Sequence, residues 1–319
     1  DVGQFSALLT YSFQILSSLM MVSMVFVMIT LASESAKRIV EVLEEKSSLV
    51  NPENPVYEVK DGSVDFENVS FKYSKKAERN ALENINLHIN SGETIGIIGG
   101  TGSSKTTLIQ LISRLYDVTE GSITLDGTDI RELSMKDLRQ QIGFVPQKGV
   151  LFSGTIASNL RLGNKDASDA DVRQAAQIAQ AEDFIEEKSE KYDAPIAQGG
   201  TNVSGGQKQR LAIACAIAKH PKIFVFDDSF SALDLKTDAK LRKALSNTVQ
   251  DSTVIIVAQR ISTILHADQI LVLDEGQIVG KGTHEELMKT CTVYQEIAKS
   301  QMSAKELGLT DGEEAEDHE

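Results

Sequence analysis

The stretch Thr94-Ile-Gly-Ile-Ile-Gly-Gly-Thr-Gly-Ser-Ser-Lys-Thr-Thr107 joins a β-type apolar run to a glycine loop, and Leu108 to Leu115 continues it with helical texture. Strand, glycine loop and helix in that order form a phosphate cradle, because backbone N–H groups and the positive end of the helix face the same anion. In this reading Gly99, Gly100, Thr101, Gly102, Ser103, Ser104 and Thr107 surround the phosphates, Lys105 reaches the β- and γ-phosphates, and Thr106 ligates Mg²⁺. The pattern GxxxxGK[ST] is incomplete, since Ser104 stands where the second glycine belongs. A Cβ there is expected to narrow the loop, or to be tolerated at a negative φ.

A second apolar run, Lys222 to Phe226, ends in Asp227-Asp228 and leads into Ser231-Ala-Leu-Asp234. Acids at a buried strand end suit a metal and a water: Asp227 is expected to hold Mg²⁺ directly or through water, and Asp228 to orient the attacking water as a general base. Further upstream, Asn202-Val-Ser-Gly-Gly-Gln-Lys-Gln-Arg210 runs into an apolar helix from Leu211 to Ala218. Small residues at a helix start again present N–H groups to an anion. Alone, this would pass as an ordinary Ser-Gly-Gly cap. Beside the glycine loop and the acid pair it reads as a second phosphate-reading loop, serving a site shared between two domains.

The rest of the chain sets limits. With 319 residues, 41% hydrophobic and 24% charged, it can bury one large or two ordinary cores. A net charge of −14 argues against nucleic acid as partner, which calls for clustered Lys and Arg. Residues 301–319 are expected to be an acidic disordered tail; six of the last nine residues are acids. Cys215 and Cys291 lack metal or disulfide spacing and fit a reducing cytosol as small apolar residues.

Residues 1–34 differ in kind. No charge occurs from Phe5 to Ala32, and Ile15 to Leu31 is dense in large apolar residues, long enough to cross a bilayer with tilt. The basic pair Lys37-Arg38 follows the apolar run, unlike the order in a signal peptide, and places the C-terminal side in the cytosol. Ser6, Thr10, Gln14 and Ser18 form a polar stripe suited to neighbouring helices or a watery path. One helix makes no pathway, and the chain opens at Asp1 without Met, so the expectation is a longer protein truncated to its last transmembrane helix. Residues 35–62 read as a cytosolic helix extension and linker, broken by Pro52 and Pro55, before a nucleotide-binding domain at 63–300.

Together these motifs resemble the ATP-binding cassette (ABC) family, specifically exporters carrying membrane helices and cassette on one polypeptide. The resemblance covers residues 1 to about 300. It implies an α/β P-loop NTPase of ABC ATPase type, with a mixed sheet core and a helical subdomain from about Gly154 to Ala214, preceded by a transmembrane α-helix. It also implies ATP and Mg²⁺ as cofactors, with Thr106, Gln147 and Asp227 at the metal. By the same likeness Tyr73 stacks on adenine, Gln147 joins the metal site to the membrane half, and Asp234 crosses to the opposite site. Residues 198–201 lack the acid that exporters usually carry there. Thr283 and Glu286 form a capping-box pattern.

Two departures from the family concern chemistry. Hydrolysing members have Glu where this chain has Asp228, and His where it has Gln259. Asp is shorter by about 1.5 Å, and a misplacement of about 1 Å can cost about 10²-fold. Gln can hydrogen-bond a γ-phosphate but cannot relay a proton. The pattern resembles the degenerate-site subunit of a heterodimeric multidrug exporter, with Ser204, Gly205, Gly206 and Gln207 completing a partner half-transporter's competent site. Membrane lipid and a transported substrate follow as further partners, and an integral cell-membrane location with the nucleotide-binding domain in the cytosol. Alternatives are a homodimeric slow exporter and a nucleotide-binding regulatory membrane subunit.

Overall fold

The computed structural model describes residues 1–248 and 251–301; apart from Gln301, the expected acidic tail lies outside them. The chain separates into two compact units, Asp1–Val50 and the residues from Asn51 onward.

The first unit is one helix, α1 (Val2–Glu44), with no buried residue. It is long and apolar enough to cross a membrane. Two hydroxyls of the expected polar stripe are satisfied within it. Thr10 Oγ1 donates to the Ser6 carbonyl at 2.9 Å and Ser18 Oγ to the Gln14 carbonyl at 2.8 Å.

The second unit opens with β1 (Val64–Phe71), β2 (Leu82–Ile89), β3 (Thr94–Gly99), α2 (Lys105–Ile112), β4 (Glu120–Leu125), β5 (Thr128–Asp129), α3 (Met135–Gln140) and β6 (Ile142–Val145). A largely helical stretch follows: β7 (Gly154–Thr155), α4 (Ile156–Leu160), α5 (Asp169–Ile178), α6 (Glu182–Glu186), β8 (Pro195–Ile196) and α7 (Gly205–Ala218). The chain then returns through β9 (Ile223–Asp227), α8 (Leu235–Thr248), β10 (Thr253–Val257), α9 (Ile261–Ile264), β11 (Gln269–Asp274), β12 (Gln277–Gly282), α10 (His284–Thr290) and α11 (Thr292–Gln301).

Among the described residues the strands form an antiparallel sheet in the order β2-β1-β4-β5, a six-stranded sheet β12-β11-β3-β10-β9-β6 and a β7-β8 hairpin. In the large sheet only β12 runs antiparallel to its neighbour. Its central strands, Ile-Phe-Val-Phe-Asp in β9 and Thr-Val-Ile-Ile-Val in β10, are buried at every position. Such continuous apolar runs are what a parallel sheet covered on both faces requires.

The period-two alternation of a strand sorts those side chains into two cores. Phe224, Phe226, Val254, Ile256 and Ile270 pack with the helical stretch, α7 above all. Ile223, Val225, Ile255, Ile95 and Ile97 pack toward α2 and the antiparallel sheet. Truncating a fully buried ring such as Phe226 would cost about 3–5 kcal/mol. Cys291 is buried and Cys215 half-buried, where desolvation pushes its thiol pKa up. The capping-box pattern at Thr283 is realised at α10: Thr283 N–H donates to Glu286 Oε2 at 2.8 Å, and Glu286 N–H to Thr283 Oγ1 at 3.4 Å.

This topology prepares one edge for chemistry. β9 and β10 stay in register to Asp227 opposite Val257, and β6 and β9 to Val145 opposite Phe226. The carboxyl ends of β6, β9 and β10 therefore bring Gln147, Asp227-Asp228 and Gln259 together, beside the loop that leaves β3. Ligands of open α/β sheets bind at this edge.

Candidate functional site

The loop after β3 is shaped by close backbone approach. A Cβ on Gly99 would lie 2.1 Å from the Leu273 carbonyl oxygen, so only glycine fits. Gly102 has φ +85. Ser104 departs from expectation: its φ is +69 and its ψ 24, the left-handed region, rather than negative. Loop and helix geometry here demand what a glycine gives freely, and Ser104 adopts it at a cost of about 1–2 kcal/mol.

Ser104 is also the N-cap of α2, and no side chain caps that helix. The first-turn N–H groups thus face outward with no side-chain acceptor. The Lys105 ammonium lies along the loop, donating to the carbonyls of Gly99 at 2.9 Å and Gly100 at 2.8 Å and to Ser103 Oγ at 3.2 Å. Burial lowers its pKa, against the opposing pull of Asp228 and Asp227. A cavity of about 750 Å³ borders Gly102 and Ser104, and its lining carries both signs of charge, Lys72 and Arg79 beside Glu78, Glu83, Asp274 and Glu275.

Thr106 Oγ1 donates to Asp227 Oδ1 at 3.1 Å, joining the loop to the acid pair. Burial is the main cause that raises the Asp227 pKa; the adjacent Asp228 adds to it, while the Thr106 bond and Lys105 oppose it. A threonine hydroxyl beside a carboxylate, next to an uncapped helix start and an ammonium, fits a Mg²⁺-bound polyphosphate, since Mg²⁺ takes hard oxygen ligands and shares phosphate oxygens.

Asp228 sits at φ +49, a conformation that Asp tolerates better than most residues. Its N–H donates to the Val257 carbonyl at 2.9 Å, which ties it to β10. Two amides hold its carboxylate: Gln147 Nε2 donates to Oδ2 at 3.0 Å and Gln259 Nε2 to the same oxygen at 2.6 Å. Gln147 therefore meets Asp228, whereas Thr106 meets Asp227. Before Oδ2 could take a proton from a water, one of these amides would have to leave.

Tyr73 is 56% exposed, with its ring edge-on to Phe71 and Tyr116. Its hydroxyl is 2.8 Å from Thr107 Oγ1, so the tyrosine stands on the first turn of α2. Thr101 and Gly100 are exposed along the loop.

Ser204, Gly205, Gly206 and Gln207 are not brought to this loop. Ser204 is the extended N-cap of α7, φ −66 and ψ 162. Its Oγ accepts from the Gln207 N–H at 3.2 Å, and Gln207 Oε1 accepts from the Ser204 N–H at 3.0 Å, closing a capping box. Ser204 and Gly205 are exposed. Asp234 is exposed too, and its carboxylate accepts from the Thr237 N–H at 3.0 Å; these bonds lower its pKa.

Gln209 was not singled out by sequence, yet it is 2% exposed and bonds both sides of the Gln147 turn. Its Oε1 accepts from the Gly149 N–H at 2.8 Å and its Nε2 donates to the Pro146 carbonyl at 3.1 Å. A polar residue on the buried side of an otherwise apolar helix was the available signal.

Comparison with known proteins agrees with this geometry. Residues 82–231 match the family model described as ABC transporter. An uncharacterized ABC transporter ATP-binding protein of Mycobacterium bovis is 44% identical over 313 residues, 97% of this chain and 53% of that protein. A Bacillus subtilis protein named for multidrug export as an ATP-binding/permease protein is 42% identical over 236 residues, 74% of this chain and 40% of that protein. Among solved structures, a bacterial Atm1-family ABC exporter with ATP bound superposes with a TM-score of 0.80 at 34% identity, covering 86% of this chain and 48% of the exporter. The chain thus spans about half the length of the relatives it matches. The expected fold, an ABC ATPase of mixed sheets and helices with an apolar helix before it, is the one observed.

Proposed function

We propose that the chain, whose residues 82–231 match the ABC transporter model, is the ATP-binding half of a membrane exporter with two unequal sites. Its own site holds Mg-ATP and turns it over slowly, while Ser204, Gly205, Gly206 and Gln207 complete the hydrolytic site of a different half-transporter. In this reading α1 is the last helix of the membrane part, and the domain works in the cytosol.

The observation that carries the proposal is the double hold on Asp228. Gln147 and Gln259 both give N–H donors to Oδ2, which occupies that oxygen and fixes the orientation of the carboxylate, and neither amide can accept a proton in return. Asp228, anchored to β10 through its backbone, is also shorter than a glutamate by about one methylene. Binding groups are nearly all present by contrast. Lys105 and the uncapped start of α2 would grip phosphate, and Thr106 with Asp227 would hold the metal. Mg²⁺, when bound, offsets negative charge on the terminal phosphates. Tyr73 offers a flat ring to the base.

The test uses full-length protein purified from membranes with whatever half-transporter accompanies it. Replacing Asp228 by Glu together with Gln259 by His should raise single-turnover hydrolysis at this chain's site by about 10-fold or more. Unchanged turnover would refute the assignment of slowness to these two residues.

A further inference from the structure

The peptide that carries Gln259 is held from outside the site. α9 begins at Ile261, and its N-cap Arg260 makes no side-chain cap, so the helix start must find an acceptor elsewhere. Gln301, the last described residue of α11, supplies it. Its Oε1 accepts from the Ile261 N–H at 3.0 Å, and its Nε2 donates to the Gln259 carbonyl at 2.7 Å. A cap needs only the acceptor; the second bond, to Gln259 itself, does more, because it fixes the peptide plane from which the Gln259 side chain departs. That side chain then reaches Asp228 Oδ2 at 2.6 Å.

Gln301 can act as a brace because α11 is itself anchored. Ala298 and Tyr294, one and two turns before it, are fully buried. The Tyr294 hydroxyl lies 2.8 Å from His284 Nδ1, and burial pushes its pKa up to about 12. The bonds thus run from the end of α11 through the 259–261 peptide to Asp228, spanning 42 and then 31 residues of sequence.

We propose that Gln301 is a positioning residue of the nucleotide site: by bonding both ends of the 259–261 peptide it aims Gln259 at Asp228 and at the terminal phosphate. Only the phosphate part rests on the function proposed above. Removing Gln301 leaves Gln259 present but unaimed, so nucleotide is held less long.

The experiment has two readouts on the purified full-length complex. Hydrogen exchange, resolved to the peptide around Ile261, should quicken in Gln301→Ala by about 3- to 10-fold, the loss of one hydrogen bond. Retention of photoactivatable 8-azido-ATP on this chain's gel band should fall by a similar factor in Gln301→Ala and in Gln301→Glu, which keeps the acceptor and loses the donor. In a Gln259→Ala background, Gln301→Ala should add no further loss. An equal loss in both backgrounds, or none in either, overturns the proposal, as does unchanged exchange at Ile261. If the unaltered chain retains no label, the holding-site reading fails instead, and the exchange data alone decide whether Gln301 braces the peptide.

Discussion

Two glycine-bearing loops start helices in this chain, and the two starts are completed in opposite ways. At α2 the cap residue Ser104 is left-handed, no side chain accepts from the first turn, and Lys105 rests on carbonyls of its own loop. At α7 the cap residue Ser204 is extended, and it exchanges hydrogen bonds with Gln207 until the box is closed. In the proposed function the first loop is an unfinished receptor that an anion would complete. The second is finished without a ligand, and a phosphate must compete with a cap worth about 1 kcal/mol. That difference suits a site that binds nucleotide alone and a signature that engages nucleotide only when another domain delivers it.

The largest effect is expected at the unfinished loop. Lys105→Ala removes the ammonium on the Gly99 and Gly100 carbonyls and should weaken nucleotide binding on this chain by at least about 100-fold, read as chain-resolved photolabelling. Labelling at the unaltered level would erase the contrast between the loops, since the α2 start would not be the receptor.

Ser204→Ala probes the closed box. It should lower hydrolysis by the accompanying half-transporter by about 10-fold while nucleotide retention on this chain stays within about twofold. Equal losses at both sites would mean that the signature serves its own chain, and the pairing of unequal sites would fall.

Local patterns were readable in sequence wherever a motif carries its geometry with it. Thr94 to Thr107 foretold a strand, a loop and a helix, although the helix begins at Lys105 and ends at Ile112, earlier than the Leu108–Leu115 texture suggested. Phe224 to Asp228 foretold a buried strand ending in acids, and Thr283 with Glu286 its box. What escaped are amide side chains whose partners are fixed by tertiary placement. Gln209 meets the Gln147 turn across 60 residues, and Gln301 meets Gln259 across 42. Neither pairing has a period or a spacing to read. The antiparallel sheet of β1, β2, β4 and β5 was likewise not foreseen, because its strands belong to one face of a mixed fold whose pairing order is not written locally.

The backbone at Ser104 escaped for a different reason, and it gives the smallest and most discriminating test. Sequence left two outcomes for a Cβ at this place, a narrowed loop or a negative φ, and the chain does not take the negative φ. It keeps the left-handed turn that glycine would adopt and carries the strain in a serine whose hydroxyl caps nothing. Ser104→Gly relieves about 1–2 kcal/mol of strain but frees the unfolded chain, so a net gain below about 1 kcal/mol and a melting temperature higher by about 1–3 °C are expected. Nucleotide retention should change by less than about twofold, because the loop's path already matches the glycine form. If retention instead rose by 10-fold while the melting temperature stayed put, Ser104 would belong with Asp228 and Gln259 among the residues that set this site apart, and the contrast between the two helix starts would extend from capping to affinity.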